Sequence, residues 1–164
     1  MLDSGCGTGS STARIAERHP DCTVLGIDQS AARLNRFAES ERLNMRRIRA
    51  RVEDIWRLLA ADEVRPARHF LLYPNPWPKA AQLRRRWHGH PAFPGLLALG
   101  GQLQLRTNWS IYAEEFALAA GICGIETPPV VSFSVDSPLT PFERKYAASG
   151  HDLFCLNLNL ENTT

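Results

Sequence analysis

An α/β fold on a mostly parallel sheet is the fold class this sequence predicts, and three observations predict it. Short apolar strand-like runs alternate with helix-like segments over most of the chain, the pattern that builds a parallel sheet with helices packed on it. The first strand-to-helix junction is Asp3-Ser-Gly-Cys-Gly-Thr-Gly9, a loop with a nearly bare backbone. Two strand-like runs lie close together at the end, residues 130–135 and 153–158, and suggest an antiparallel hairpin added to that sheet.

The bulk numbers bound the class. A chain of 164 residues that is 44% hydrophobic reads as one domain, residues 1–164, with enough apolar material for a real core. No apolar run approaches ~20 residues, so no membrane partner is expected. The N-terminus lacks a basic stretch followed by an apolar one, so no secretion signal is read. Cys6, Cys22, Cys123 and Cys155 are scattered, with no C-x-x-C, which argues for reduced thiols in a cytoplasmic protein. The formal charge of +2 says little about partners, but arginine outnumbers lysine and Arg84-Arg85-Arg86 is a tight basic run suited to phosphate. Only two residues precede Asp3. The first strand is therefore expected to be truncated and an N-terminal segment to be missing.

Taken in order, the glycines at positions 5, 7 and 9 let a ligand lie against main-chain N–H groups and the next helix N-terminus. Ser10 or Ser11 is expected to cap that helix, which runs to about Arg18. Residues 23–28 read as a buried strand ending in Asp28, an acid placed to bond ribose hydroxyls in a nucleotide-binding α/β fold. Ser30 caps a second helix with Leu34, Phe37 and Ala38 on one face. Residues 45–50 form a third strand, arginine-rich and so near an edge. Glu53 and Asp54 open a third helix, where acids complement the helix dipole and where Glu53 could also lie beside a bound adenine. Residues 68–73 form a fourth strand.

That strand runs into Pro74-Asn-Pro-Trp-Pro-Lys79, the stretch around which the chain is organised. Three prolines in five residues forbid both helix and ladder. The residue before each proline is expected to be extended, so Asn75 and Trp77 should sit on a stiff backbone at a strand end. Residues 80–87 look helical. His88-Gly-His90 follows, but no third ligand is evident and no metal site is predicted. Residues 100–107 form a glycine-led strand, Asn108 precedes a helix bearing Tyr112, Ala113, Phe116, Ala117 and Ala120, and Gly121 ends it. Residues 137–145 make a turn feeding a short helix.

The loop Asp3–Gly9 matches the D/E-x-G-x-G-x-G of S-adenosylmethionine-dependent methyltransferases rather than the G-x-G-x-x-G dinucleotide fingerprint. With Pro74–Lys79, Arg106-Thr-Asn-Trp109, Thr140-Pro-Phe-Glu-Arg144 and Gly150-His151, nearly the whole chain resembles the bacterial tRNA (guanine-N7)-methyltransferases. The resemblance implies a seven-stranded Rossmann-like class I methyltransferase with S-adenosylmethionine as cofactor and tRNA as partner. It implies cofactor contacts from Asp3, Gly5, Gly7, Gly9, Asp28, Glu53 and Asn75. It implies substrate contacts from Lys79, Arg84, Arg85, Asn108, Thr140, Phe142 and Glu143. The family's catalytic aspartate falls on Asn75, and a second family aspartate falls on Asn108. Arg51 stands where the family has an adenine-side aspartate, with Glu53 the nearest replacement.

The chemistry can be argued beside the resemblance. Guanine N7 carries a lone pair and no proton, so no general base is needed and positioning matters most. The methylated ring is cationic, and a carboxylate at position 75 would stabilise it; asparagine keeps the shape and drops the charge. The alternatives are a non-catalytic homologue that binds S-adenosylmethionine or RNA, and a methyltransferase with a different substrate.

Overall fold

A computed structural model describes residues 1–37 and 42–161. A seven-stranded sheet forms its centre, in the order β3-β2-β1-β4-β5-β7-β6. The first five of these are parallel: β1 (Leu2–Ser4), β2 (Val24–Asp28), β3 (Met45–Arg49), β4 (Arg68–Leu72) and β5 (Gln102–Thr107). β7 (Leu153–Asn159) pairs antiparallel with β5, and β6 (Val131–Phe133) pairs antiparallel with β7 at the edge. The expected hairpin is therefore an antiparallel pair whose later strand lies inside, joined by a helix rather than a tight turn. Arginine-rich β3 takes the other edge, as its composition predicts.

Helices α1 (Ser10–Arg18), α2 (Ala31–Leu34), α3 (Val52–Ala61), α4 (Phe93–Leu97), α5 (Ser110–Ile122) and α6 (Pro141–Ala148) connect the strands. Each parallel strand enters its helix at one end of the sheet, which gathers the loops after β1, β2, β4 and β5 there. The larger core cluster includes Ile27, Trp56, Leu71, Leu105, Phe116 and Leu156, all almost fully buried. A second cluster, with Ala13, Ile15, Val24, Met45 and Phe70, seals α1 to the sheet.

Several local expectations are corrected. Neither Ser10 nor Ser11 caps α1: Gly9, with φ 97°, is the N-cap, and Ser11 instead donates its hydroxyl to Asp3. Ser30 does cap α2, accepting from the Arg33 amide, while Ala38 lies outside the described residues. In place of the expected helix over residues 80–87 there is a 3-10 turn over Ala80–Arg85 followed by another over Trp87–Gly89, with Arg86 and Trp87 at their junction anchored to the Trp77 carbonyl and the Tyr112 hydroxyl. Helix α5 passes Gly121 and ends at Ile122; Gly124, at φ 87°, takes the left-handed turn. Helix α4 was not anticipated, since Pro94 and Gly95 mask its pattern. The lead-in to β5 needs glycine: Gly101 has φ 72°, and a Cβ there would lie 2.1 Å from the Pro66 carbonyl.

Candidate functional site

The loop after β1 turns tightly under the end of β2. Gly5, Gly7 and Gly9 all have positive φ, and the amides of Gly5 and Cys6 donate to the Ile27 carbonyl at 2.8 and 3.0 Å. The Gly7 amide donates to Asp28 Oδ2 at 2.9 Å. A Cβ placed on Gly5 or Gly7 would meet no atom within 4 Å, so open space lies over this loop. That space, over a loop whose glycines present no side chains and with an acid at the end of the next strand, fits an adenosine-bearing cofactor such as S-adenosylmethionine.

Asp28 is 2% exposed, and its carboxylate is already shared. Besides Gly7 it accepts from the Ser30 amide at 2.8 Å and from Arg33, whose Nη2 is 2.8 Å away. Arg33 was not anticipated; its side chain is half exposed and can withdraw into solvent. Asp3 lies deeper, 1% exposed, accepting from Ser11 and Thr12 at 2.6 and 2.7 Å. Burial pushes its carboxyl up to about 6, against the pull of those two hydroxyls and with a small push from Asp28. Glu53 sits in the first turn of α3 with Arg51 Nε at 2.8 Å. Arg51 and Glu53, the two positions expected near the adenine, are thus paired with each other.

The Pro74–Lys79 loop leaves the end of β4 beside β1, and its conformation departs from expectation. Tyr73 and Trp77 precede prolines yet have φ 53° and 43° rather than extended values. Left-handed backbone costs a non-glycine residue roughly 1–2 kcal/mol, and persists where surroundings enforce it. At one end the Tyr73 amide donates to the Arg106 carbonyl at 2.7 Å, and the Tyr73 hydroxyl donates to Glu143 at 3.3 Å. At the other end Arg86 Nε donates to the Trp77 carbonyl at 3.1 Å, and Arg85 lies 4.8 Å from the Trp77 ring centre. Asn75, exposed between them, accepts from the Trp77 amide at 3.4 Å.

Glu143, expected to contact substrate, has no exposed surface. Its carboxylate accepts from Arg106 Nη1 at 2.9 Å and from the Leu139 amide at 2.5 Å, as well as from Tyr73. Burial, reinforced by the Glu143 charge, raises the Tyr73 phenol far above its ordinary value, so it stays a donor. Thr140 is buried and caps α6 through the Glu143 amide at 3.0 Å. Phe142, one residue along, is 56% exposed. Lys79, Arg84 and Arg85 are exposed, and Asn108 is half-buried after β5. An open cleft of about 290 Å³ is lined by Arg106 together with Arg18, Phe133 and Asp136.

The basic run is split. Arg86 is 7% exposed and pairs with Glu115 on α5, which His88 Nε2 also reaches at 3.0 Å. Burial lowers the His88 pKa, partly offset by Glu115. His90 Nδ1 accepts from the Ala92 amide, so the two histidines serve local structure. Arg106 belonged to a motif visible in the sequence; Arg86, Glu115 and Tyr73 had no signal beyond residue type, because their roles depend on partners 9 to 70 residues away.

A profile of the family described as "Putative methyltransferase" matches residues 1–156. The chain is similar to a tRNA (guanine-N(7)-)-methyltransferase of Treponema pallidum (strain Nichols), 36% identical over 172 residues, covering 94% of this chain and 65% of that protein. A protein of the same name from Alkalilimnicola ehrlichii (strain ATCC BAA-1101 / DSM 17681 / MLHE-1) is 32% identical over 171 residues, covering 95% of this chain and 70% of that one. The chain thus spans 65% of the length of the Treponema relative. Among solved structures, the 16S rRNA methyltransferase KamB matches with TM-score 0.67 at 18% identity, over 96% of this chain and 86% of that one, a likeness of fold.

Proposed function

Because the chain belongs to the tRNA (guanine-N7)-methyltransferase family, we propose that it transfers a methyl group from S-adenosylmethionine to N7 of a guanine in tRNA, in the cytoplasm. The observation that carries this reading is the adjacency of two loops. The glycine loop with its open space and the clamped Pro74–Lys79 loop emerge side by side from the carboxyl ends of β1 and β4. Ligands of open α/β sheets bind at that edge.

S-adenosylmethionine supplies a methyl group already activated by its sulfonium charge. The residues of this chain need only position the base against it, because guanine N7 has a free lone pair. In this reading the cofactor's adenosine portion lies in the open space over the glycine loop and is held by Asp28, with Arg33 leaving Asp28 as the ribose hydroxyls arrive. Glu53 borders the adenine. Asn75 presents an amide oxygen to the guanine N1–H or amino group, held in register by the left-handed turns at Tyr73 and Trp77. It lacks the charge that a carboxylate would offer the cationic product, so turnover is slow. Lys79, Arg84 and Arg85 contact phosphates, and Asn108, Thr140, Phe142 and Glu143 shape the substrate side. Glu143 does so through Tyr73 and Arg106 rather than by touching the base.

The test is transfer of labelled methyl from S-adenosylmethionine to bulk tRNA, followed by mapping of 7-methylguanine. Label in 7-methylguanine is the expected result. Cofactor binding without transfer would favour a non-catalytic homologue.

A further inference from the structure

Helix α5 carries an acid that lies outside both loops of the site, yet its contacts lead to Asn75. Glu115 Oε2 accepts from Arg86 Nη1, and His88 Nε2 lies 3.0 Å from the same oxygen. One turn earlier on α5, the Tyr112 hydroxyl accepts from the Trp87 amide at 3.1 Å. Three successive residues after the proline loop, Arg86, Trp87 and His88, are therefore fastened to α5. Both of these partners of the Glu115 carboxylate come from that run and neither from α5 itself, so the acid serves the run rather than its own helix.

The fastening continues inward through Arg86, whose Nε donates to the Trp77 carbonyl at 3.1 Å. Nε–H and Nη1–H belong to one planar, rigid fork, so the direction of one bond sets that of the other. Arg86 is 7% exposed, and Glu115 is its acid partner; without that carboxylate a buried cation would lose its counter-charge and turn toward water. Trp77 sits at φ 43°, a conformation that its surroundings must enforce. The Trp77 amide in turn donates to Asn75 Oδ1 at 3.4 Å, so the turn and the Asn75 side chain move together.

We propose that Glu115 is a positioning residue for methyl transfer: by orienting the Arg86 guanidinium it holds the Trp77 turn, and with it the Asn75 amide, in the geometry that receives the base. The proposal rests on the methyl-transfer reading. In that reaction N7 needs no general base, so rate depends on placement, and a shift of about 1 Å can cost on the order of 100-fold. Glu115 itself touches neither substrate nor cofactor.

The experiment combines single-turnover methyl transfer to bulk tRNA, calorimetric binding of S-adenosylmethionine, and fluorine NMR of protein labelled with 5-fluorotryptophan. Glu115→Ala should slow transfer at least about tenfold, with cofactor affinity and the KM for tRNA unchanged. The Trp77 fluorine resonance, assigned by its loss in Trp77→Phe, should shift or broaden. Glu115→Gln keeps an oxygen for Arg86 but not the charge, so it should fall between wild type and Glu115→Ala in both readouts. Urea unfolding curves set the conditions under which each variant is folded, and Glu115→Gln, equal in size to the native residue, carries the test if Glu115→Ala does not fold. A wild-type transfer rate in the folded variants overturns the proposal, and so does an unmoved Trp77 resonance. A loss that appears only as weaker binding of cofactor or tRNA also overturns it. If wild type transfers no methyl group, the methyl-transfer reading fails, and the Trp77 resonance alone then decides whether Glu115 holds the loop.

Discussion

Arg86 Nε donates to the carbonyl of Trp77 at 3.1 Å, which turns the last arginine of an apparently solvent-facing run into an anchor for the proline loop. Its guanidinium also pairs with Glu115, so one side chain ties the loop to α5. Arg86→Ala would leave Glu115 with His88 alone and release Trp77 from its left-handed turn. A loss of roughly 2 kcal/mol in urea unfolding is expected, less than for a fully buried pair because Glu115 is partly exposed. Arg86→Lys can keep the pair but not the second bond, so it should fall between. Stability unchanged in Arg86→Ala would refute the anchor.

The same split changes what the arginine run can do for RNA. Arg84 and Arg85 are exposed, whereas Arg86 is not. Neutralising Arg84 and Arg85 together should weaken tRNA binding and reduce the log-log salt slope by about 1.5–2, one released counterion per lost phosphate contact. An unchanged slope, measured by binding titrations at several salt concentrations, would mark both as solvated surface.

At Asp28 the ribose and Arg33 compete for one carboxylate. Asp28→Ala should weaken S-adenosylmethionine binding by ~1.5–3 kcal/mol, the worth of charged hydrogen bonds. Arg33→Ala should strengthen it about two- to fivefold, since an exposed ion pair is worth up to ~1 kcal/mol. Calorimetry decides: weaker binding by Arg33→Ala would mean that Arg33 holds Asp28 in its binding position instead of opposing the ligand.

Asn75 tests the charge argument. Asn75→Asp should fit the clamped loop without strain and raise tRNA methylation at least about tenfold, by stabilising the cationic product with a preorganised carboxylate. Single-turnover methyl transfer would measure it. A wild type as fast as Asn75→Asp would show that charge at this position is immaterial.

Asp3 and His69 lie in neighbouring strands and act oppositely on stability as pH changes. Burial holds the Asp3 carboxyl up near 6, so the folded state takes up a proton between pH 6 and about 4 that the unfolded state refuses. The cost of its buried charge is fully present above pH 6 and is relieved on acidification. Burial, aided by the N-terminal charge, lowers His69 to about 3; its ring meets the Ser4 hydroxyl at 2.7 Å, and Trp56 donates to that same oxygen at 3.1 Å. The unfolded state therefore binds the extra proton between pH 6.5 and 3, and stability from His69 falls across that window. Asp3→Asn should accordingly stabilise the protein at pH 8 by ~2–3 kcal/mol, since each tenfold change in acidity is worth about 1.4 kcal/mol, and give no gain near pH 4. Urea unfolding at the two pH values checks this, and destabilisation at pH 8 would contradict it.

The strand and helix alternation, the glycine loop, the acid at Asp28, the edge position of β3 and the strand feeding the proline loop were all legible in the sequence, because each depends on residues within one turn or one strand. Period, glycine content and proline placement act locally, and local sterics settle them before any long-range contact forms. What the tertiary structure decided was pairing: β7 inserted between β5 and β6, Arg33 on Asp28, Glu143 turned inward onto Tyr73 and Arg106, and Arg86 drawn away from its neighbours to Trp77 and Glu115. The left-handed turns at Tyr73 and Trp77 belong to the same class, since pre-proline sterics alone predict extended chain and only the contacts at both ends of the loop outweigh them. Burial and partnership are properties of the folded chain, so a buried arginine and a solvated one look alike until the sheet has brought distant segments together.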